Sequence, residues 1–120
     1  MDAVSIPKVI EYVKTETLDK GRVKTTVVWF LVNPEVMDTI CMAFIRGEMS
    51  MIEARMGITI KHPGDKYSKT VALEQARKKL GKNKLSIRHL SATPQSVRLV
   101  LDDYTLEKFA NGKIIIKSNS

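Results

Sequence analysis

The chain has 120 residues, of which 43% are apolar and 28% charged, so we expect one folded domain over residues 1–120 rather than a disordered chain. The single cysteine, Cys41, excludes an internal disulfide and a cysteine-cluster metal site, and it suits a reducing cytosol. The longest apolar run, residues 27–32, is too short for a membrane span, and the early Asp2 argues against a secretory signal. We therefore expect a cytoplasmic protein, and its net charge of +7 favours a negatively charged partner.

The first segments of the chain predict a β-hairpin. Residues 9–18 alternate apolar and polar side chains, residues 20–22 form a short turn, and residues 23–32 are rich in β-branched and aromatic side chains. Because the second segment ends apolar on both faces, we expect it to be a central strand that is covered on both sides.

A helix is predicted next, over residues 34–46. Asn33 and the proline that follows it suit a helix start, and Gly47 suits a helix end. Met42 and Ile45 fall on the side opposite the main apolar stripe. The helix is therefore either buried on two sides or packed against a second subunit, and the second alternative predicts a homo-oligomer.

The middle of the chain predicts a strand and a second helix. Residues 50–61 alternate apolar and polar side chains, as in a strand, although the methionines at their start also suit a helix that extends to Met56. Residues 69–80 carry an apolar stripe at helical spacing, and Gly81 is expected to end that helix.

The last third of the chain leaves alternatives open. Residues 85–89 suggest a strand, whereas residues 93–101 suit either a helix capped at its start or another strand. The Asn-Gly pair at 111–112 is either a hairpin turn or a helix end, and a terminal strand follows over residues 113–117. The expected fold class is α+β, a small and mostly antiparallel sheet with two main helices in a single domain.

Positive charge is concentrated between residues 61 and 84. This stretch holds eight basic and two acidic residues, a net charge of +6 in 24 residues, whereas the other 96 residues share a charge of +1. Such a region is either a solvated face that keeps the protein soluble or a surface that binds anions.

The turn at residues 62–65 is expected to place a helix N-terminus beside several lysines. Free backbone N–H groups and the helix dipole favour an anion there. An aromatic ring, an imidazole and a carboxylate nearby suit the base of a nucleotide, although the alternative is a capped helix with a core tyrosine and solvated lysines. The residues predicted to bind this ligand are Lys61, His62, Asp65, Lys66, Tyr67 and Lys69.

Catalysis has little support in the sequence. His62 and His89 are the only histidines, Cys41 falls inside a predicted apolar helix, and Asp102 and Asp103 are neighbours whose side chains diverge. The spacing of the histidines and acidic residues matches no specific metal site. We expect a protein that is not an enzyme and that holds neither a cofactor nor a metal.

Residues 57–80 also carry a pattern of single positions. Gly57, Pro63, Asp65, Lys69 and Ala76 match it directly. Tyr67 stands in place of a phenylalanine, His62 in place of an asparagine, and Lys79 in place of an arginine. A departure from the pattern is the Ala72-Leu73 pair, which stands where a Gly-Arg pair is expected.

By this pattern the segment resembles the phage-encoded Thoeris anti-defence proteins of the first type, which sequester the cyclic ADP-ribose signal of a bacterial immune system. The resemblance covers about a fifth of the chain. It implies a phage protein in the host cytosol that binds a cyclic nucleotide-type ligand without chemistry. Arg77 and Lys79, at the basic end of the second helix, join the residues expected to bind the ligand.

A continuous helix would separate Asp65 from Lys79 by roughly 20 Å. One small ligand contacts both only if the site lies between subunits, which again predicts a homo-oligomer. The rival prediction is a basic phage protein that binds nucleic acid or inhibits a host protein complex associated with nucleic acid. Only seven aromatic residues are present, and so few make a base-stacking surface small.

Overall fold

The computed structural model describes residues 9–64, 66 and 68–119, so the predictions for Asp65 and Tyr67 lie outside the described residues. The described residues form one sheet of seven strands, in which every strand pairs antiparallel with the next along the chain. The strands are β1 (Ile10–Thr17), β2 (Val23–Phe30), β3 (Met51–Lys61), β4 (Gly81–Ala92), β5 (Ser96–Leu101), β6 (Tyr104–Phe109) and β7 (Ile114–Ser118). The helices are α1 (Met37–Ile45) and α2 (Lys69–Lys78), with short 3₁₀ turns at Asp19–Gly21 and Pro34–Val36.

This architecture confirms the expected α+β class and resolves the alternatives in the sequence. Residues 50–61 form strand β3 rather than a helical extension, residues 96–101 form strand β5 rather than a helix, and the Asn-Gly pair lies between strands β6 and β7. One boundary was wrong, because α2 ends at Lys78 and Gly81 is the first residue of β4. Within the described part of the chain, no helix has the length and apolar character that crossing a membrane requires.

The sheet curls around a hydrophobic core. The ring of Tyr12 on β1 lies 5.5 Å from the ring of Tyr104 on β6, although four strands separate β1 from β6 in the sheet. Phe30 on β2 contacts the same tyrosine edge-on at 5.4 Å. From α1, Met37 and Cys41 complete this core, whereas Met42 and Ile45 are exposed on the opposite side of that helix. The side of α1 that carries Met42 and Ile45, which was predicted to be either buried in the core or packed against a second subunit, is therefore not buried within this chain.

Helix α2 packs on the outer face of β2 and β3, away from the curled core. Strand β2 is consequently covered on both sides, as expected, and residues 25–28 are all buried. The helix lies unusually close to β3 at Gly57, since a Cβ atom added there would sit 2.0 Å from the carbonyl oxygen of Ala76. Ala72 and Ala76 are fully buried in this contact because only small side chains fit between the helix and the strand.

Replacing Gly57 with alanine is expected to destabilise the protein by about 3 kcal/mol, because the new methyl group clashes with helix backbone and α2 must move away from the sheet. Chemical denaturation measures this change. The matched control is Gly81→Ala, where an added Cβ meets no atom within 4 Å and the backbone is extended strand. Equal free energies of unfolding for the two variants would contradict the close contact.

Candidate functional site

The structure separates the predicted ligand-binding residues into two groups at opposite ends of α2. Lys61, His62 and Lys66 precede the helix and Lys69 begins it, whereas Lys79 follows its last residue. Ten helical residues span roughly 14 Å, so the two groups do not share one small site within a chain. The predicted set is therefore not assembled around a single ligand in one protomer.

The N-terminal end of α2 is capped by its own chain. The Ser68 hydroxyl accepts a hydrogen bond from the backbone N–H of Val71 at 3.5 Å, as expected for a capped helix. His62, Lys66 and Lys69 are exposed, and Lys61 is partly buried. The first turn of the helix carries no acidic residue, so these cations add to the positive end of the helix dipole.

Arg77 makes its contacts with the sheet. Its Nε donates to Glu11 Oε2 at 2.9 Å and its Nη2 donates to Glu11 Oε1 at 2.6 Å, a bidentate ion pair between α2 and β1. The indole Nε1 of Trp29 also donates to Glu11 Oε2, at 2.6 Å. The hydrogen bond from Arg77, with help from Trp29, holds the pKa of Glu11 below its usual value despite partial burial. One edge of the guanidinium is thus already engaged by Glu11, and Arg77 does not line the cleft over β3 and β4 that holds other cations.

An open cleft of about 470 Å³ lies over the paired strands β3 and β4, near the C-terminal end of α2. Its charged residues follow from the strand register, which places Glu53 opposite Lys84 and Arg55 opposite Lys82. Strand alternation points these side chains away from the core that holds Ile52 and Ala54. The cleft is lined by Leu31, Glu53, Ala54, Arg55, Lys82, Asn83 and Lys84.

The cleft carries excess positive charge. Arg55, Lys82 and Lys84 are exposed, and none of them forms an ion pair with any residue that the structure describes. Glu53 is the single acidic residue in the lining. Three cations against one carboxylate suit a ligand that brings at least two negative charges.

In two of the other cavities a cation is already in use. In a cavity of about 260 Å³, Lys108 Nζ donates to the Pro34 carbonyl oxygen at 2.6 Å. In another, of about 290 Å³, Arg98 pairs with Glu107 at 3.2 Å. The β3–β4 cleft differs from both because its cations have no such partner among the described residues.

The sequence predictions missed Arg55 and left Lys82 and Lys84 outside the site. Arg55 lies on the polar side of a correctly predicted strand, and both lysines were counted only as part of the basic segment. The spacing of two between Glu53 and Arg55, and between Lys82 and Lys84, is the signal that places each pair on one strand face. The long-range register that brings the two pairs together was not visible.

Groups that serve catalysis in other proteins are dispersed here. Among residues 9–64, 66 and 68–119 there is no group of three His, Cys, Asp or Glu side chains that could hold a metal ion. His62 and His89 are exposed, while Cys41 is buried and its burial raises the pKa of the thiol. A buried thiol with a raised pKa stays protonated and is a weak nucleophile.

Comparison with known proteins gives no match to a family model, to a curated protein or to a solved structure. Function must therefore be inferred from the residues of this chain. Three features bear on it: the cations of the cleft that pair with no described residue, the two basic groups at opposite ends of α2, and the resemblance of residues 57–80.

The ion pair between Glu11 and Arg77 predicts a pH-dependent contribution to stability. Because the pKa of Glu11 is lower in the folded state, the contribution is present above the unfolded pKa and is lost as pH falls through the folded pKa. We expect Glu11→Gln to lose about 1 kcal/mol at neutral pH, a value reduced for solvent screening, and the deficit to disappear at acidic pH.

Denaturation of both proteins across pH measures this difference. The control is Glu16→Gln on the same strand, whose carboxylate lies 3.6 Å from Lys14 in an exposed pair and is expected to contribute little. A deficit for Glu11→Gln that does not change with pH would show that the charge of Glu11 is not what stabilises this contact.

Proposed function

We propose that this protein binds a phosphate-bearing, nucleotide-derived ligand in the β3–β4 cleft and holds it without chemical conversion. The observation that carries the proposal is the set of three cations around one cavity, Arg55, Lys82 and Lys84, which form no ion pair within the described part of the chain. A guanidinium pairs with phosphate through two parallel hydrogen bonds, and lysine ammonium groups neutralise the remaining charge.

The remaining lining suits a nucleotide better than inorganic phosphate. A volume of about 470 Å³ is within the usual range of small-molecule sites. Leu31 supplies apolar surface, and the Glu53 carboxylate accepts hydrogen bonds of the kind that ribose hydroxyls and exocyclic amines donate. Asn83 Oδ1 accepts from the backbone N–H of Lys84 at 2.9 Å, which leaves the amide nitrogen of Asn83 to donate.

Sequestration is the role that we propose for such binding. The resemblance of residues 57–80 indicates cyclic ADP-ribose-type molecules as the first ligands to test, with a phage anti-defence role in the host cytosol. A homo-oligomer is part of the proposal, and the exposed Met42 and Ile45 of α1 give a second copy an apolar surface to cover. The ligand is expected to leave the protein chemically unchanged, because the described residues that line the cleft bring cations and hydrogen-bonding groups and include no serine, cysteine or histidine.

Ligand binding is expected to raise the melting temperature, with about 2.7 kcal/mol of stabilisation at a ligand concentration near 100 times Kd. Cyclic ADP-ribose isomers and related cyclic nucleotides are the probes, and mass spectrometry of the heat-released ligand tests whether it is unchanged. Lys82→Gln is expected to weaken binding by about tenfold, because a charged hydrogen bond to phosphate is lost.

Lys69→Gln is the matched control for this experiment. It removes the same charge from the same basic segment, but at the other end of α2. Binding that survives Lys82→Gln and fails in Lys69→Gln would move the site to the turn before α2. The absence of a melting shift with every cyclic nucleotide would contradict the proposed function.

Nucleic-acid binding is the second candidate, and it is favoured by the extent of the positive surface. Lys78 is the last residue of α2 and Lys79 follows it, only a few residues before Lys82 and Lys84, so the positive surface continues beyond the cleft. A single strand of nucleic acid places a phosphate at every nucleotide, so it neutralises a row of cations that exceeds the size of one mononucleotide.

Under this alternative, affinity for single-stranded DNA falls steeply with salt, and the double variant Lys78→Gln with Lys79→Gln reduces the slope of log affinity against log salt by about 0.7 per lost phosphate contact. Fluorescence anisotropy at several salt concentrations measures the slope. Lys113→Gln with Lys117→Gln removes the same charge at β7 and serves as control. Weak binding at physiological salt, unchanged in both variants, would exclude the alternative.

A further inference from the structure

Strand β3 has an edge that its neighbour leaves unpaired. Strand β2 pairs with β3 along residues 54–61, whereas β4 pairs with β3 only along residues 51–56. On the β4 side of the sheet, no strand among the described residues pairs with residues 57–61. Strand β4 begins at Gly81, opposite Met56. The position beside residues 57–61 is therefore open to one more strand segment.

Helix α2 forms a wall along this edge. Arg77 reaches Glu11 on β1, so the opposite flank of the helix faces the β4 side of the sheet. Gln75 belongs to that flank, and its Oε1 accepts a hydrogen bond from the Thr59 hydroxyl on β3 at 3.3 Å. Val71 lies one turn earlier on the same flank, above the unpaired edge.

The edge is bordered by exposed apolar side chains on both faces of the sheet. Ile58 and Ile60 are 38% and 40% exposed on the inner face, and Val71 is 40% exposed on the outer side. These are three of the eight large apolar residues found exposed among the described residues. Their grouping around one short stretch of unpaired backbone is typical of a strand-addition site rather than of scattered surface residues.

We propose that residues 57–61 accept an acidic, extended segment of a partner protein, which adds to the sheet as a strand in line with β4. Main-chain hydrogen bonds to the free edge of β3 hold the segment. Its side chains alternate between the two faces, so that one set covers Ile58 and Ile60 while the other set meets Val71.

The charge around the edge selects an acidic partner. Lys61 belongs to the edge itself, Lys66 and Lys69 lie beside the start of α2, and Lys78 follows Val71 by two helical turns on the same flank. A second copy of this chain would bring the same lysines face to face and add another charge of +7. An acidic segment instead neutralises them, which makes it the occupant that the surface fits.

The probe is a short synthetic peptide in which isoleucine and glutamate alternate, added to the full chain. We expect it to bind and to slow hydrogen exchange at the backbone amides of residues 57–61, which NMR or mass spectrometry detects. A peptide in which lysine replaces every glutamate, and one with a central proline that removes a ladder hydrogen bond, are expected to bind at least about tenfold more weakly.

Ile60→Glu is expected to reduce peptide affinity by about tenfold or more, since it removes apolar contact and adds a like charge. Val71→Glu changes the α2 side of the edge and is expected to reduce affinity to a similar extent. It replaces Ile60→Glu should that variant fail to fold. The matched control is Val36→Glu, at an exposed valine just before α1 that neither proposal uses, which is expected to leave affinity unchanged.

Three results of the peptide experiments would overturn the proposal. They are failure of the acidic peptide to bind, slowed exchange at the outer edge of β1 or β7 in place of residues 57–61, and equal loss of affinity in Ile60→Glu and Val36→Glu. Concentration-dependent dimerisation through residues 57–61 in the absence of peptide would also overturn it, because the occupant would then be a second copy.

Discussion

The contact of α2 with β3 at Gly57 determines where both the β3–β4 cleft and the open edge of β3 lie. With no side chain at Gly57, the helix backbone rests directly on the strand, and the carbonyl oxygen of Ala76 occupies the space of a Cβ. The helix then holds a fixed rotation, with Arg77 directed to β1 and Gln75 directed to Thr59. The chain leaves the helix at Lys78 and enters the sheet opposite Met56.

That entry point has two consequences. Because β4 begins at Gly81, its second and fourth residues lie opposite Arg55 and Glu53, and this pairing creates the basic cleft. For the same reason β4 begins too late to pair with residues 57–61, so the far half of β3 keeps an open edge. One close packing contact thus accounts for a charged cavity on one side of the start of β4 and an unpaired strand edge on the other.

Local patterns predicted most of the elements, but pairing between distant residues was beyond them. Alternation identified β1 and β3, the abundance of β-branched and aromatic residues identified β2, and helical spacing identified α1 and α2. The sequence of β5, Ser96–Leu101, fits both periods because it is too short to distinguish them, and only its pairing with β4 and β6 decides for a strand. The cleft escaped prediction for the same reason, since Arg55 and Lys82 are far apart in sequence and meet only through register. Counting charge also made Arg77 a candidate for ligand binding, whereas the fold shows that its guanidinium forms an ion pair with Glu11.

The two proposed sites are linked by electrostatics even though they bind different partners. Both lie next to the segment from Lys78 to Gly81, so the positive potential of Lys78 and its neighbours acts on both, and salt screens it with a Debye length of about 8 Å at physiological ionic strength. An anionic ligand in the cleft lowers this potential, so it weakens the attraction of an acidic strand to residues 57–61. By the reciprocity of binding free energies, an acidic partner at the edge weakens the ligand by the same factor. Because the coupling is electrostatic and passes through solvent, it decreases as salt concentration rises.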